Sequence, residues 1–154
     1  MLRERIGHST SGQVVTTSIQ ATVLEVARLM VSRDAGAVMV VEGDALIGIF
    51  TERDAVFRVL SQALDPRRVT VGEVMTPRPV TIGPEATFGQ AMLTMLDHGF
   101  RRLPVVEDGR VVGLVTARNA LDPDLEDFIC EERRREALRE PEDDPGLGDP
   151  PARR

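Results

Sequence analysis

Apolar side chains recur along this chain with two alternating periods. Val23, Val26, Ala27, Met30 and Val31 fall at the spacing of one helix face, and so do Phe88, Ala91, Met92, Met95 and Leu96. Each stripe opens at a Thr followed three residues later by Glu or Gln, Thr22-Val-Leu-Glu25 and Thr87-Phe-Gly-Gln90, the pattern in which hydroxyl and N3 side chain satisfy the free amides of a helix start. Gly36 and Gly99 follow near the helix ends, where a left-handed residue is usual. Two β-branched runs come next, split by Gly43-Asp44 in one region and Asp108-Gly109 in the other, both two-residue hairpin signals. Short extended runs, Val14–Thr17 and Val80–Ile82, precede the helices, and the second strand of each hairpin ends in Gly-apolar-apolar-Thr, which opens a further helix.

Those regions are one pattern written twice. Sliding the chain against itself by sixty-five residues aligns Val15–Val56 with Val80–Leu121 without a gap, and identities such as Thr22/Thr87, Met30/Met95, Val40/Val105, Gly48/Gly113 and Thr51/Thr116 are spread along the whole segment. Dispersed identity of this kind predicts one supersecondary unit built twice. The expected fold class is α+β, with two β-α-β-β-α repeats related by a pseudo-twofold axis and packed into one module, because a unit of about fifty residues is marginal alone. The expected boundaries are 1–60 for the first repeat, 61–72 for a linker and 73–121 for the second repeat. Asp122-Pro123 reads as an N-cap followed by an N1 proline, opening a C-terminal helix over 122–140. The tail, 141–154, is rich in Pro, Gly and Asp and is expected to be disordered.

Composition narrows the function. With 154 residues, 42% apolar and 29% charged, the chain suits an ordinary globular protein, and its net charge of −6 argues against a nucleic-acid partner. All nineteen positive side chains are Arg, which removes Schiff-base chemistry, a Walker-A lysine and any catalytic Lys. Cys130 is the single cysteine and has no partner ligands at metal spacing, so neither a disulfide nor a metal site is predicted. The longest apolar runs, such as Ala37–Val41, are far too short to span a bilayer, and a cytoplasmic protein without a membrane partner is expected.

The residues with the most chemistry sit where a strand runs into a helix. Thr51 has a hydroxyl able to donate to a phosphate oxygen at a helix start, and Asp54, three residues on, has a carboxylate able to accept both hydrogens of a ribose diol. Thr51-Glu-Arg-Asp54 also fits a capping box, and a Thr hydroxyl that both donates and accepts allows the two readings together. No nucleophile–base pair and no glycine-rich phosphate loop stands out, so no enzyme is expected.

The duplication, Gly48-Ile-Phe-Thr-Glu-Arg-Asp54, the run Val71-Gly-Glu-Val-Met-Thr-Pro77 with Pro79-Val-Thr81, and His98-Gly-Phe-Arg-Arg-Leu-Pro-Val-Val106 together resemble a tandem pair of cystathionine-β-synthase-type (CBS) domains over roughly residues 8–121. The resemblance implies two clefts between the repeats that take adenosine-containing ligands, no catalysis by the module, no required cofactor, and dimerisation into a flat disc. It implies further that Thr and Asp of one repeat hold phosphate and ribose, that the first-strand segment lines the base, and that basic residues before Leu-Pro of the other repeat reach the phosphates. Carried onto this chain, one cleft combines Thr51 and Asp54 with Arg101 and Arg102, whose charge-assisted hydrogen bonds are worth roughly 1.5–3 kcal/mol each. The other combines Thr116 and Asn119 with Gly36 and Ala37, which supply no cation. Thr16, Thr17 and Ile82 are the base-lining candidates, and His98 is either a phosphate contact or a helix C-terminal cap. The start of the first repeat, Ile6-Gly-His-Ser-Thr-Ser11, departs from the family pattern seen at Val71–Thr76, and His8 within it has no evident partner. The expected function is a regulatory module that senses AMP, ADP or ATP, with a homodimer and an effector protein of undetermined identity as partners. NAD or S-adenosylmethionine as ligand, and a ligand-free dimerisation module, stay open as alternatives.

Overall fold

The structure is a computed structural model and describes residues 3, 5–7 and 14–118. The expected helix 122–140, the tail 141–154, Asn119, His8 and Cys130 lie outside the described residues.

The first repeat runs β1 (Thr16–Ser18), α1 (Val23–Ser32), β2 (Ala37–Glu42), β3 (Ala45–Thr51) and α2 (Glu52–Asp54). From α2 the chain continues as a π-helical stretch, Ala55–Leu60, whose wider turns are seen where Ser61 N donates to Val56 O at 2.9 Å. The second repeat follows as α3 (Val71–Val74), β4 (Thr76–Pro77), α4 (Phe88–His98), β5 (Arg102–Glu107) and β6 (Arg110–Thr116). Among the described residues no helix is long and apolar enough to cross a membrane.

The capping boxes expected at the starts of the two longer helices, α1 and α4, both form. Glu25 N donates to Thr22 Oγ1 at 3.3 Å and Thr22 N to Glu25 Oε2 at 2.8 Å, and Thr87 and Gln90 repeat the exchange at 3.2 and 2.9 Å. At the other helix ends only one glycine behaves as expected. Gly99 caps α4 with φ +68°, whereas α1 turns through Asp34 at φ +49°, leaving Gly36 a different task.

The sheet runs β1-β2-β3-β6-β5, with β1 parallel to β2 and both hairpins antiparallel. Each hairpin shifts register at the same place, between Val40 and Val41 and between Val105 and Val106, so the repeat extends to its irregularities. Strands β3 and β6 meet at one pair, Ala45 and Arg110, so side chains and not a ladder join these two strands. Ala37, Met39, Ile49 and Leu114 form that joint, a small apolar cluster between two larger cores. One core is built around Val26, Val38 and Phe50, the other around Met95, Leu103 and Val115.

The halves also exchange their lead-in segments. Ile6, 2% exposed, is buried in the core of the second repeat, and Val71, 0% exposed, in the core of the first. Ile6 N donates to Ala86 O and Gly7 N to Pro84 O, both at 2.8 Å. Sixty-five residues on, Val71 N donates to Ala21 O at 2.8 Å and Gly72 N to Ile19 O at 3.2 Å. Each buried aliphatic side chain contributes about 1.5–3 kcal/mol by leaving water, so each repeat is completed by chain belonging to the other. Beyond Val74 the lead-in pairs with β3 as β4, opposite Gly48 and Ile49, and a Cβ on Gly48 would stand 2.2 Å from Met75 Sδ. Glycine leaves that segment the room to pass.

Candidate functional site

A cleft of about 680 Å³ opens between the repeats, within the range of small-molecule sites. Thr51 and Asp54 line it from the first repeat, Arg101, Arg102 and His98 from the second. Five of the candidate residues are therefore brought together, and the reason is the joint at the pseudo-twofold axis, which places the end of β3 opposite the start of β5.

Asp54 is the one buried charged residue among those described, 9% exposed. Its Oδ2 accepts from Thr51 N at 2.9 Å and from Thr51 Oγ1 at 3.0 Å, while Asp54 N donates to Thr51 Oγ1 at 3.3 Å. The capping reading of this pair holds. The other carboxylate oxygen, Oδ1, faces Arg58 Nε at 3.4 Å, and Arg58 Nη1 donates to the carbonyls of Val74 and Met75 at 3.1 and 2.7 Å. Arg58 thus ties the floor of the cleft to the exchanged lead-in segment.

Arg102 reaches across the axis. Its guanidinium lies over Gly36, where a Cβ would stand 2.2 Å from Nη2, and its Nη2 is 4.0 Å from Glu52 Oε2. Gly36 is a place where the backbone of one repeat admits a cation from the other. His98 does two things at once: Nδ1 donates to Thr94 O at 2.9 Å, as a helix-end cap does, and the ring stacks on Phe100 at 5.5 Å and 15° where both border the cleft.

Three base-lining candidates fall elsewhere. Thr16 and Thr17 lie on the edge strand β1, paired with Met39 and Val40, and Ile82 packs against the core of the second repeat; none lines this cleft. Thr76, Pro79 and Val80 line this cleft instead, because the exchanged lead-in brings that segment against β3. Thr116 ends β6 opposite Arg102 in register and does not line the cleft. Arg53, Arg58 and Arg78 also line it; Arg53 lies within the Gly48–Asp54 run, whereas Arg58 and Arg78 had no motif to announce them. The signal that was present for this wall was the sixty-five-residue offset, which pairs Val71 with Ile6 and marks 71–80 as a repeated lead-in.

The model of the CBS domain family matches residues 6–61 and 71–124. An uncharacterized protein of Methanopyrus kandleri is 36% identical over 134 residues, covering 84% of this chain and 68% of that protein. Other relatives are far longer, the chain spanning 16% and 20% of matching proteins from Schizosaccharomyces pombe and Arabidopsis thaliana. Among solved structures, a CBS-domain containing protein from Agrobacterium tumefaciens superposes with a TM-score of 0.67 at 31% identity, covering 73% of this chain and 90% of that one. A CBS domain protein from Pyrobaculum aerophilum, complexed with AMP, shares the fold with a TM-score of 0.71 at 20% identity, over 84% of this chain and 99% of the other. By sequence and by fold, then, this chain belongs to the CBS domain family, with two of its domains in tandem.

Proposed function

We propose that the chain is a non-catalytic regulatory module whose cleft binds an adenine nucleotide and converts its occupancy into a changed arrangement of the two repeats. One observation carries this reading: a buried carboxylate and a hydroxyl from one repeat share a cleft with two guanidiniums from the other. Thr51 and Asp54 would meet ribose and the first phosphate, and Arg101 and Arg102 the phosphates beyond. The apolar side chains of Ile49, Pro79, Val80 and Pro104 supply a surface for a base. The AMP held by the Pyrobaculum aerophilum protein supports an adenosine ligand. A ligand held by both repeats favours one arrangement of them, with couplings of about 1–3 kcal/mol being typical. The partner we propose is a second copy in the cytoplasm, docking through exposed apolar side chains such as Val31, Leu60 and Leu96, 84, 74 and 69% exposed; an effector protein would read the dimer.

The capping box at Thr51–Asp54 favours one alternative, a dimerisation module without a ligand, in which Oδ2 of Asp54 is fully spent on Thr51. A melting-temperature screen with AMP, ADP, ATP, NAD and S-adenosylmethionine separates the two. At a hundredfold excess over Kd a bound ligand stabilises by about 2.7 kcal/mol, and Asp54→Ala and Arg102→Ala should each remove the shift while staying folded. No shift with any of the five leaves the dimerisation module standing.

A further inference from the structure

We propose that this cleft selects among nucleotides by the length of the phosphate chain, taking a nucleoside di- or triphosphate over a monophosphate, and that Arg78 and Arg101 read the difference. The inference rests on the nucleotide reading above and specifies its ligand class. Arg53, Arg58, Arg78, Arg101 and Arg102 line the cleft against only Glu52 and Asp54, an excess of three positive charges. The whole chain carries −6, so cationic charge is gathered in this one concavity against the prevailing sign, where a cleft focuses the field. A single phosphate monoester brings about −1.5 to −2 at pH 7, and each added phosphate brings a further ionised oxygen.

The five cations are not equally available. Arg58 is held by Asp54 and two carbonyls, Arg102 faces Glu52 at 4.0 Å, and the guanidinium of Arg53 lies 4.9 Å from the centre of the Phe57 ring. The guanidiniums of Arg78 and Arg101 have no hydrogen bond or ion pair among the described residues. They come from different elements, Arg78 from the segment after β4 and Arg101 from the turn before β5, so they flank the cleft with unspent charge from two sides of the chain's connectivity. Arg78 also adopts φ +47°, a left-handed conformation that residues with a side chain rarely take. Its N–H donates to Ile47 O at 3.0 Å, which fixes that backbone beside β3.

Isothermal titration in EDTA buffer with adenosine, AMP, ADP, ATP and inorganic tripolyphosphate tests this on the full chain, with Arg78→Asn and Arg101→Gln as variants. Asparagine accepts the left-handed backbone, and Arg101 is exposed, so thermal melts of both should match the parent. ATP is expected to bind about tenfold or more tighter than AMP, and each variant to lose about fivefold or more for ATP while changing AMP by less than about twofold. Equal affinities for AMP and ATP, or variants that weaken both alike, would overturn the proposal and leave nucleotide binding intact. Tripolyphosphate binding as tightly as ATP would overturn the nucleoside part, assigning the cleft to bare polyphosphate. Binding of none of the five would sink the underlying nucleotide reading as well.

Discussion

The turn at Thr51 and the turn at Thr116 have the same backbone and different surroundings. Thr51 pairs with Ala37 across its hairpin and Thr116 with Arg102; Glu52 N donates to Gly36 O at 3.3 Å, and Ala117 N to Arg101 O at 2.8 Å. What differs is the pair of residues facing each turn across the axis. The second repeat supplies Arg101 and Arg102 toward Thr51, where the first has Gly36 and Ala37 in the equivalent places. The glycine is itself part of the equipment, since Arg102 lies where a side chain at position 36 would be. Duplication fixed the backbone twice because the cores demand it, and left the rim free to diverge because a half-exposed side chain costs little to change.

Breaking the equivalence of the two cores should have the largest effect. Phe50 and Leu103 are both 0% exposed, one in each core; Phe50→Ala should cost about 3–5 kcal/mol and Leu103→Ala about 2–5 kcal/mol. Because the lead-ins are exchanged, each variant should unfold in one cooperative thermal transition. Two resolved transitions would mean that the repeats fold separately.

Next comes the exchange itself. Ile6→Ala should destabilise by about 2 kcal/mol or more, a loss read by denaturant titration. Its local mark is faster amide hydrogen exchange at the second repeat's Ala86–Thr87 region, with the first repeat's Ile19–Ala21 region unaffected. Uniform acceleration in both regions would instead mean that the lead-ins stabilise the module only globally.

A smaller effect is expected where the rims differ. Gly36→Ala places a Cβ against the far end of a flexible side chain, so stability should stay within about 0.5 kcal/mol while Arg102 is pushed from its position. The nucleotide-induced melting shift should shrink. A full shift would show that Arg102 contributes from elsewhere.

The smallest effect separates the two capping boxes. The Thr22 backbone N–H, and then its hydroxyl, hold the Glu25 carboxyl below the usual carboxylate range, and Thr70 does the same for Glu73. Their contribution is present above the unfolded value of about 4.3 and is lost as pH falls through the lowered folded value. Gln90, in the equivalent box of the second repeat, does not titrate. Glu25→Gln should therefore flatten the acid limb of melting temperature against pH, and the double variant with Glu73→Gln should flatten it further.

Local signals in the sequence were dependable. The helices at Thr22 and Thr87, the hairpins at Gly43 and Asp108, and the capping pair at Thr51 each depend on residues within four positions of one another, and all formed. Thr51, Asp54, Arg101 and Arg102 were legible as a set because the resemblance to CBS domains joins the Thr and Asp of one repeat to the basic residues before Leu-Pro of the other, and the repeat offset then showed that the second cleft lacks the cations. Arg58 and Arg78 were not, since Arg58 takes its meaning from carbonyls sixteen and seventeen residues away and Arg78 from its place beside Ile47.

The sequence alone determined where each helix and hairpin would begin, because those features are written in short-range spacing and side-chain type, and its sixty-five-residue self-similarity determined that one unit would be made twice with Arg101 and Arg102 in only one copy. Tertiary structure decided the sheet order, the exchange of Ile6 and Val71 between cores, and the placing of Thr76, Pro79 and Val80 along this cleft. The bond from Ile6 N to Ala86 O spans eighty residues. A contact of that range is selected by which apolar faces fit together when both halves collapse, and no periodicity along the chain encodes it.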